Sequence, residues 1–106
     1  MSMPTQPKFS NPEGETLAEV ELREPPHYRV VLHNDDYTTM EFVVEILCLV
    51  FHKSREEAIR IMLAVHEQGR GDCGIYPAEI AETKVSIVHG RARADGFPLR
   101  CSLEDV

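Results

Sequence analysis

Three things are scarce in this chain of 106 residues, and each shortage removes a class of function. Basic charge is in deficit, with eleven Lys and Arg against eighteen Asp and Glu for a net charge of −7. Nucleic acid and anionic membrane surfaces both demand a basic footprint, so neither is expected as a partner, and a cationic ligand suits the field better. Cysteine is sparse as well: Cys48, Cys73 and Cys101 form no CxxC pair and are odd in number, which argues against a disulfide framework and agrees with a reducing compartment. All three are expected to be buried thiols. Long apolar runs are missing. Nothing reaches the length of a membrane span, and "MSMPTQPKFSNPEGE" has no basic segment followed by an apolar core, so no signal peptide is read there and a cytoplasmic location is expected.

What is present is one domain's worth of ordinary globular sequence, 42% hydrophobic and 27% charged. Residues 1–26 hold Pro4, Pro7, Pro12, Pro25 and Pro26 among scattered Glu and are expected to form a flexible extension, with Leu17, Val20 and Leu22 as a short apolar pattern inside it. The folded domain is expected over 27–106. "YRVVLH" is β-branched and of strand length, and "NDD" ends it with turn- and cap-forming side chains. Met40, Val43, Val44, Leu47, Val50 and Phe51 then recur at helical spacing, predicting a helix over about 39–51 with Thr38 or Thr39 as N-cap. Ser54 and Glu57 form a capping box ahead of Ala58, Ile61, Met62 and Val65, so a second helix is expected over about 55–68, ending before Gly69. "CGIY" is a short strand, Pro77 opens a third helix running towards Gly96, and "PLRCSLE" alternates as a last strand should. The order β-α-α-β-α-β calls for a small sheet covered by helices, a two-layer α+β fold whose strand directions periodicity leaves open.

Asn34, Asp35 and Asp36 stand together directly after the first strand. One capping residue suffices for one helix, so three consecutive acceptors exceed the structural need and point to a ligand. His66, four residues after Met62, lies at the edge of the second helix's apolar stripe near its C-terminal end. A metal site is poorly supported, since His66 and Asp35 supply too few ligands and there is no HxxxH or CxxC. Acid–base catalysis by Asp35 and His66 is the enzymatic alternative, but no nucleophile, phosphate loop or cofactor fingerprint accompanies them. "GRGDCG" precedes a strand and reads as a tight connection. An interaction module without any pocket is the third reading.

"HNDDYTTMEFVV", "KSREEAIRIMLAVHEQGRG" and "CGIYPAEIAETKV", in that order, resemble the ClpS family of adaptors, which deliver N-degron substrates to the ATP-dependent ClpA–ClpP protease; the resemblance covers about residues 27–104. It implies a three-stranded antiparallel sheet packed on three helices behind a flexible extension, no catalysis, no cofactor and no metal. By position it implies that Asn34, Asp35 and His66 bind a free α-amino group, with Asp36 and Thr38 holding the loop and the first peptide units. Leu32, Met40, Val43, Met62, Val65 and Leu99 would line a pocket for a first residue that is Leu, Phe, Tyr or Trp. Glu79, Lys84 and Tyr37 would meet the N-terminal domain of a ClpA-type unfoldase whose substrate choice the adaptor also modulates, and the adaptor would be a monomer. The chemistry is coherent: an ammonium carries three donors and needs converging acceptors, including a neutral imidazole, while two thioether chains adapt to differently shaped side chains.

Two positions depart from the family pattern. Thr39 replaces a common proline, from which a looser helix entry is expected, and Asp72 brings a charge to "GRGDCG", from which an altered loop is expected.

Overall fold

The structure, a computed structural model, describes residues 25–106. The extension expected over 1–26 lies outside these residues except for Pro25 and Pro26. Strand β1 (His27–His33) leads to helices α1 (Met40–Leu49) and α2 (Arg55–Gln68), then β2 (Arg70–Pro77), α3 (Ala78–Asp95) and β3 (Arg100–Asp105). The sheet is antiparallel with β1 in the centre, in the order β2-β1-β3, so the expected three-stranded architecture is the observed one.

Local chemistry accounts for most boundaries. Thr39 caps α1, its hydroxyl accepting from Phe42 N at 3.1 Å, and Ser54 caps α2, its hydroxyl accepting from Glu57 N at 3.1 Å. Thr39 sits at φ −75°, within the range that a proline ring would impose, and adds a side-chain cap that proline lacks. Gly69 and Gly96 close α2 and α3 in the left-handed conformation. Helix α1 stops at Leu49 rather than at 51, and Val50 and Phe51 are buried beyond it.

β2 departs from expectation. It begins at Arg70, immediately after the α2 cap, so "GRGDCG" is mostly strand and Pro77 ends that strand as the N-cap of α3. A register shift opposite Val30 and Val31 leaves Cys73 as an extra residue, so a strict two-residue period fails there. Asp72 lies within β2 rather than in a loop, is exposed, and pairs with Arg29 at 3.3 Å and Arg70 at 3.7 Å. Arg70 in turn meets both oxygens of Glu104 at 2.7 Å. This chain of charges spans the sheet's outer face, where Val31 is fully buried although it belongs to no part of the helix-side core.

The core lies between sheet and helices and gathers Val30, Leu32, Phe42, Ile46, Leu47 and Val88, among others. Cys73 and Cys101 are buried within it, and burial pushes the Cys101 thiol up to about 12 and the Cys73 thiol further. Cys48 is only half-buried, against the expectation for all three.

Candidate functional site

The site forms where the end of β1 meets the end of α2. Asn34 N donates to the Gly69 carbonyl at 3.0 Å, and Gly69 N donates to Val65 O at 3.0 Å, so the first residue after the strand is tied to the cap of the helix that carries His66. This tie brings Asn34 and His66 to one rim although 31 intervening residues separate them. Gly69 was legible in the sequence only as a helix stop; that its carbonyl anchors the loop needed the tertiary fold.

The loop itself is organised by Asp35. Its carboxylate accepts from Tyr37 N at 2.8 Å, from Thr38 N at 2.7 Å and from the Thr38 hydroxyl at 2.8 Å. Burial works to raise the Asp35 carboxyl, but these three hydrogen bonds outweigh it and hold the group below its ordinary value. The carboxylate is therefore charged at neutral pH and half-buried at the mouth of the core. Three of its roughly four lone-pair sites serve the loop, which leaves about one for a further donor.

Asn34, Asp35, Asp36, Thr38 and His66 rim a cavity of about 220 Å³ whose walls are Met40, Val43, Met62 and Val65. The volume falls below the range of about 300–1,000 Å³ that takes drug-sized ligands and suits one large side chain. Nine predicted residues thus converge: the five acceptor or hydroxyl groups and four of the six apolar ones. Leu32 and Leu99 do not line the cavity; they are buried in the core together with Val43 and Val65. Met40 and Met62 also border a larger groove of about 520 Å³ between α1 and α2, lined further by Glu41, Val44, Glu45, Cys48, Leu49, Arg55 and Ile59, none of which the sequence marked as a site.

Glu79, Lys84 and Tyr37 lie outside the cavity. Tyr37 is 77% exposed and Glu79 is exposed in the first turn of α3. Lys84 is half-buried: its ammonium donates to Val50 O at 2.7 Å and stands 5.7 Å from the Phe51 ring centre and 5.1 Å from that of Tyr76. His33, which sequence reasoning passed over, precedes Asn34 and pairs with the Ser102 hydroxyl at 2.6 Å; burial, then Arg100 and Arg70, lower its pKa. Among the described residues no three His, Cys, Asp or Glu side chains gather to hold a metal, and no helix is long and apolar enough to cross a membrane.

A helix-covered sheet with an acceptor-rimmed apolar cavity at one end defines a small two-layer α+β protein with a candidate ligand site. Residues 23–102 match the family described as ATP-dependent Clp protease adaptor protein ClpS, and the chain belongs to that family. It is 63% identical over 94 residues to the ATP-dependent Clp protease adapter protein ClpS of Oleidesulfovibrio alaskensis, covering 89% of this chain and 90% of that protein. To the protein of the same description from Nitratidesulfovibrio vulgaris strain Miyazaki F it is 66% identical over 92 residues, covering 87% of this chain and 92% of the other. Among solved structures, Agrobacterium tumefaciens ClpS2 bound to L-phenylalaninamide superposes with a TM-score of 0.75 at 36% identity, over 78% of this chain and all of that one. The family is one of adaptors, not enzymes, and this chain is an adaptor of a Clp protease.

Proposed function

We propose that this adaptor captures proteins by a free N-terminal Leu, Phe, Tyr or Trp and delivers them to a ClpA-type AAA+ unfoldase for degradation by its partner protease. The observation that carries the reading is the cavity, polar at its rim and apolar at its walls, at the scale of a single side chain. Asn34, Asp35 and His66 accept from the α-ammonium, the last through a neutral ring nitrogen, while Asp36 and Thr38 shape the loop and meet the first peptide units. The first side chain enters between Met40, Val43, Met62 and Val65, while Leu32 and Leu99 pack in the core together with Val43 and Val65. ClpS2 in complex with L-phenylalaninamide, a free amine on an aromatic residue, supports this division.

Burial of a Leu or Phe side chain contributes about 1.5–3 kcal/mol, and each hydrogen bond to a charged group contributes about 1.5–3 kcal/mol. Neither contribution alone offsets the cost of association, about 4–15 kcal/mol, so recognition needs both subsites. Residues 27–106 carry the binding domain, and 1–26 serve as the extension that the unfoldase engages during handover. Glu79, Tyr37 and Lys84 meet the unfoldase's N-terminal domain, and occupying that domain alters its choice of other substrates. The adaptor works as a monomer, in the reducing cytoplasm that three free thiols suit.

Fluorescence anisotropy with a labelled peptide beginning with Phe tests the reading. Saturable binding is expected for the free peptide and none for its N-acetylated form or for one beginning with Val; binding of the acetylated peptide would remove the amine from the mechanism.

A further inference from the structure

β2 packs closely against α2 at Gly71. A Cβ built there would stand 2.7 Å from Val65 Cγ2, 3.0 Å from Ile61 Cγ2 and 3.0 Å from the Ile61 carbonyl oxygen. Carbon atoms pack best at about 3.5–4.0 Å, so an alanine would have to displace something. Gly71 does not share the positive φ of Gly69, Gly74 and Gly96. The position therefore demands space, not an unusual backbone.

What would yield can be read from the three neighbours. The Ile61 carbonyl belongs to the ladder of α2 and holds its place, while Ile61 and Val65 are both β-branched, so each can move its Cγ2 only by turning about χ1. Of the two, Val65 is the nearer to Gly71 and is also a wall of the acceptor-rimmed cavity, so the closer clash falls on it. A methyl group denied its seat against β2 turns towards that cavity.

We infer that Gly71 is a positioning residue that sets the width of the first-residue pocket: the missing side chain seats Val65 Cγ2 against the strand and keeps the cavity open to aromatic rings. This inference rests on the proposed function. Gly71 touches no ligand, and its effect on recognition passes through Val65. Filling the position costs ring-bearing first residues more than leucine, because a planar ring cannot bend around an intruding methyl group while a branched aliphatic chain repacks.

The full-length chain, its Gly71→Ala variant and a Gly90→Ala control are titrated with peptides that differ only in a first Phe, Trp or Leu. Gly90 has nothing within 4 Å of an added Cβ, so its variant keeps the original preferences. Gly71→Ala is expected to weaken the Phe and Trp peptides about tenfold and the Leu peptide by no more than about threefold. In a Val65→Ala background the effect of Gly71→Ala on the Phe to Leu ratio disappears. An equal loss for all three peptides, or no loss, overturns the inference. Methyl NMR of the unaltered, peptide-free chain decides independently of how the variant folds: one Val65 χ1 rotamer with Cγ2 against the Gly71 Hα is expected, and rotamer averaging overturns the seat. If the unaltered chain binds no free-amine peptide, the proposed function fails; binding with an unchanged Phe to Leu ratio sinks the role of Gly71 alone.

Discussion

Asp35 serves the loop and the rim at once, and its titration separates the two roles. With the folded pKa held below the ordinary 3.8, the charged carboxylate stabilises the loop fully above that value, and the contribution is lost as pH falls below it through the folded pKa. Acid should therefore release the Tyr37 and Thr38 amides together, seen by NMR as joint shifts beginning only below the ordinary carboxylate value. Amide signals that moved at higher pH, or separately, would contradict the Asp35 clamp. At this scale the sequence showed that Asn34, Asp35 and Asp36 exceed the needs of a cap. It did not show which carboxylate binds the backbone two and three residues on, because a hydrogen bond depends on local dihedral angles that composition leaves open.

Lys84 shows the same limit for an element. In the sequence it is one cation on a helix face. In the fold its ammonium reaches from α3 to the Val50 carbonyl that α1 leaves unpaired at its C-terminal end, and it rests against Phe51 and Tyr76. Lys84→Met keeps the aliphatic stem but leaves that carbonyl without its donor, and should lower stability by about 1–2 kcal/mol in denaturant titration. Unchanged stability would show that the hydrogen bond to Val50 contributes nothing to the fold. A variant at this position therefore tests unfoldase contact only once its folding has been measured, whereas the exposed Glu79 can be read directly. Helix α2 was legible to the residue because Ser54 and Gly69 mark its two ends with their own chemistry. β2 was read too short because the extra residue at Cys73 breaks the two-residue alternation on which strand reading depends.

For the whole molecule, the proposed function expects binding and delivery to divide along the chain. A protein shortened to residues 25–106 retains every residue of the cavity and is expected to bind a Phe-led peptide with unchanged Kd while losing unfoldase-driven degradation of a Phe-led substrate. Weakened peptide binding would place part of the site in the first 24 residues. The aromatic and aliphatic core supports such a domain: Phe42 lies 4.9 Å from Phe97, closing α1 against the segment that leads into β3, and the His89 ring accepts from Cys101 N at 3.0 Å to tie α3 to that edge strand.

The sequence by itself determined the order of elements, the helix caps and the types of residue at the site, because periodicity, capping and turn chemistry act over a few neighbouring residues. The resemblance carried by its motifs extended that reading to the antiparallel sheet and to an amine-binding rim. Only the tertiary structure decided that Gly69 ties Asn34 to the helix bearing His66, that Leu32 and Leu99 lie in the core rather than on the cavity wall, and that Gly71 leaves room for Val65. The first two join segments far apart in the chain, and the third, though Val65 and Gly71 lie six residues apart, depends on how β2 turns back along α2; such contacts arise from packing, which no local pattern encodes.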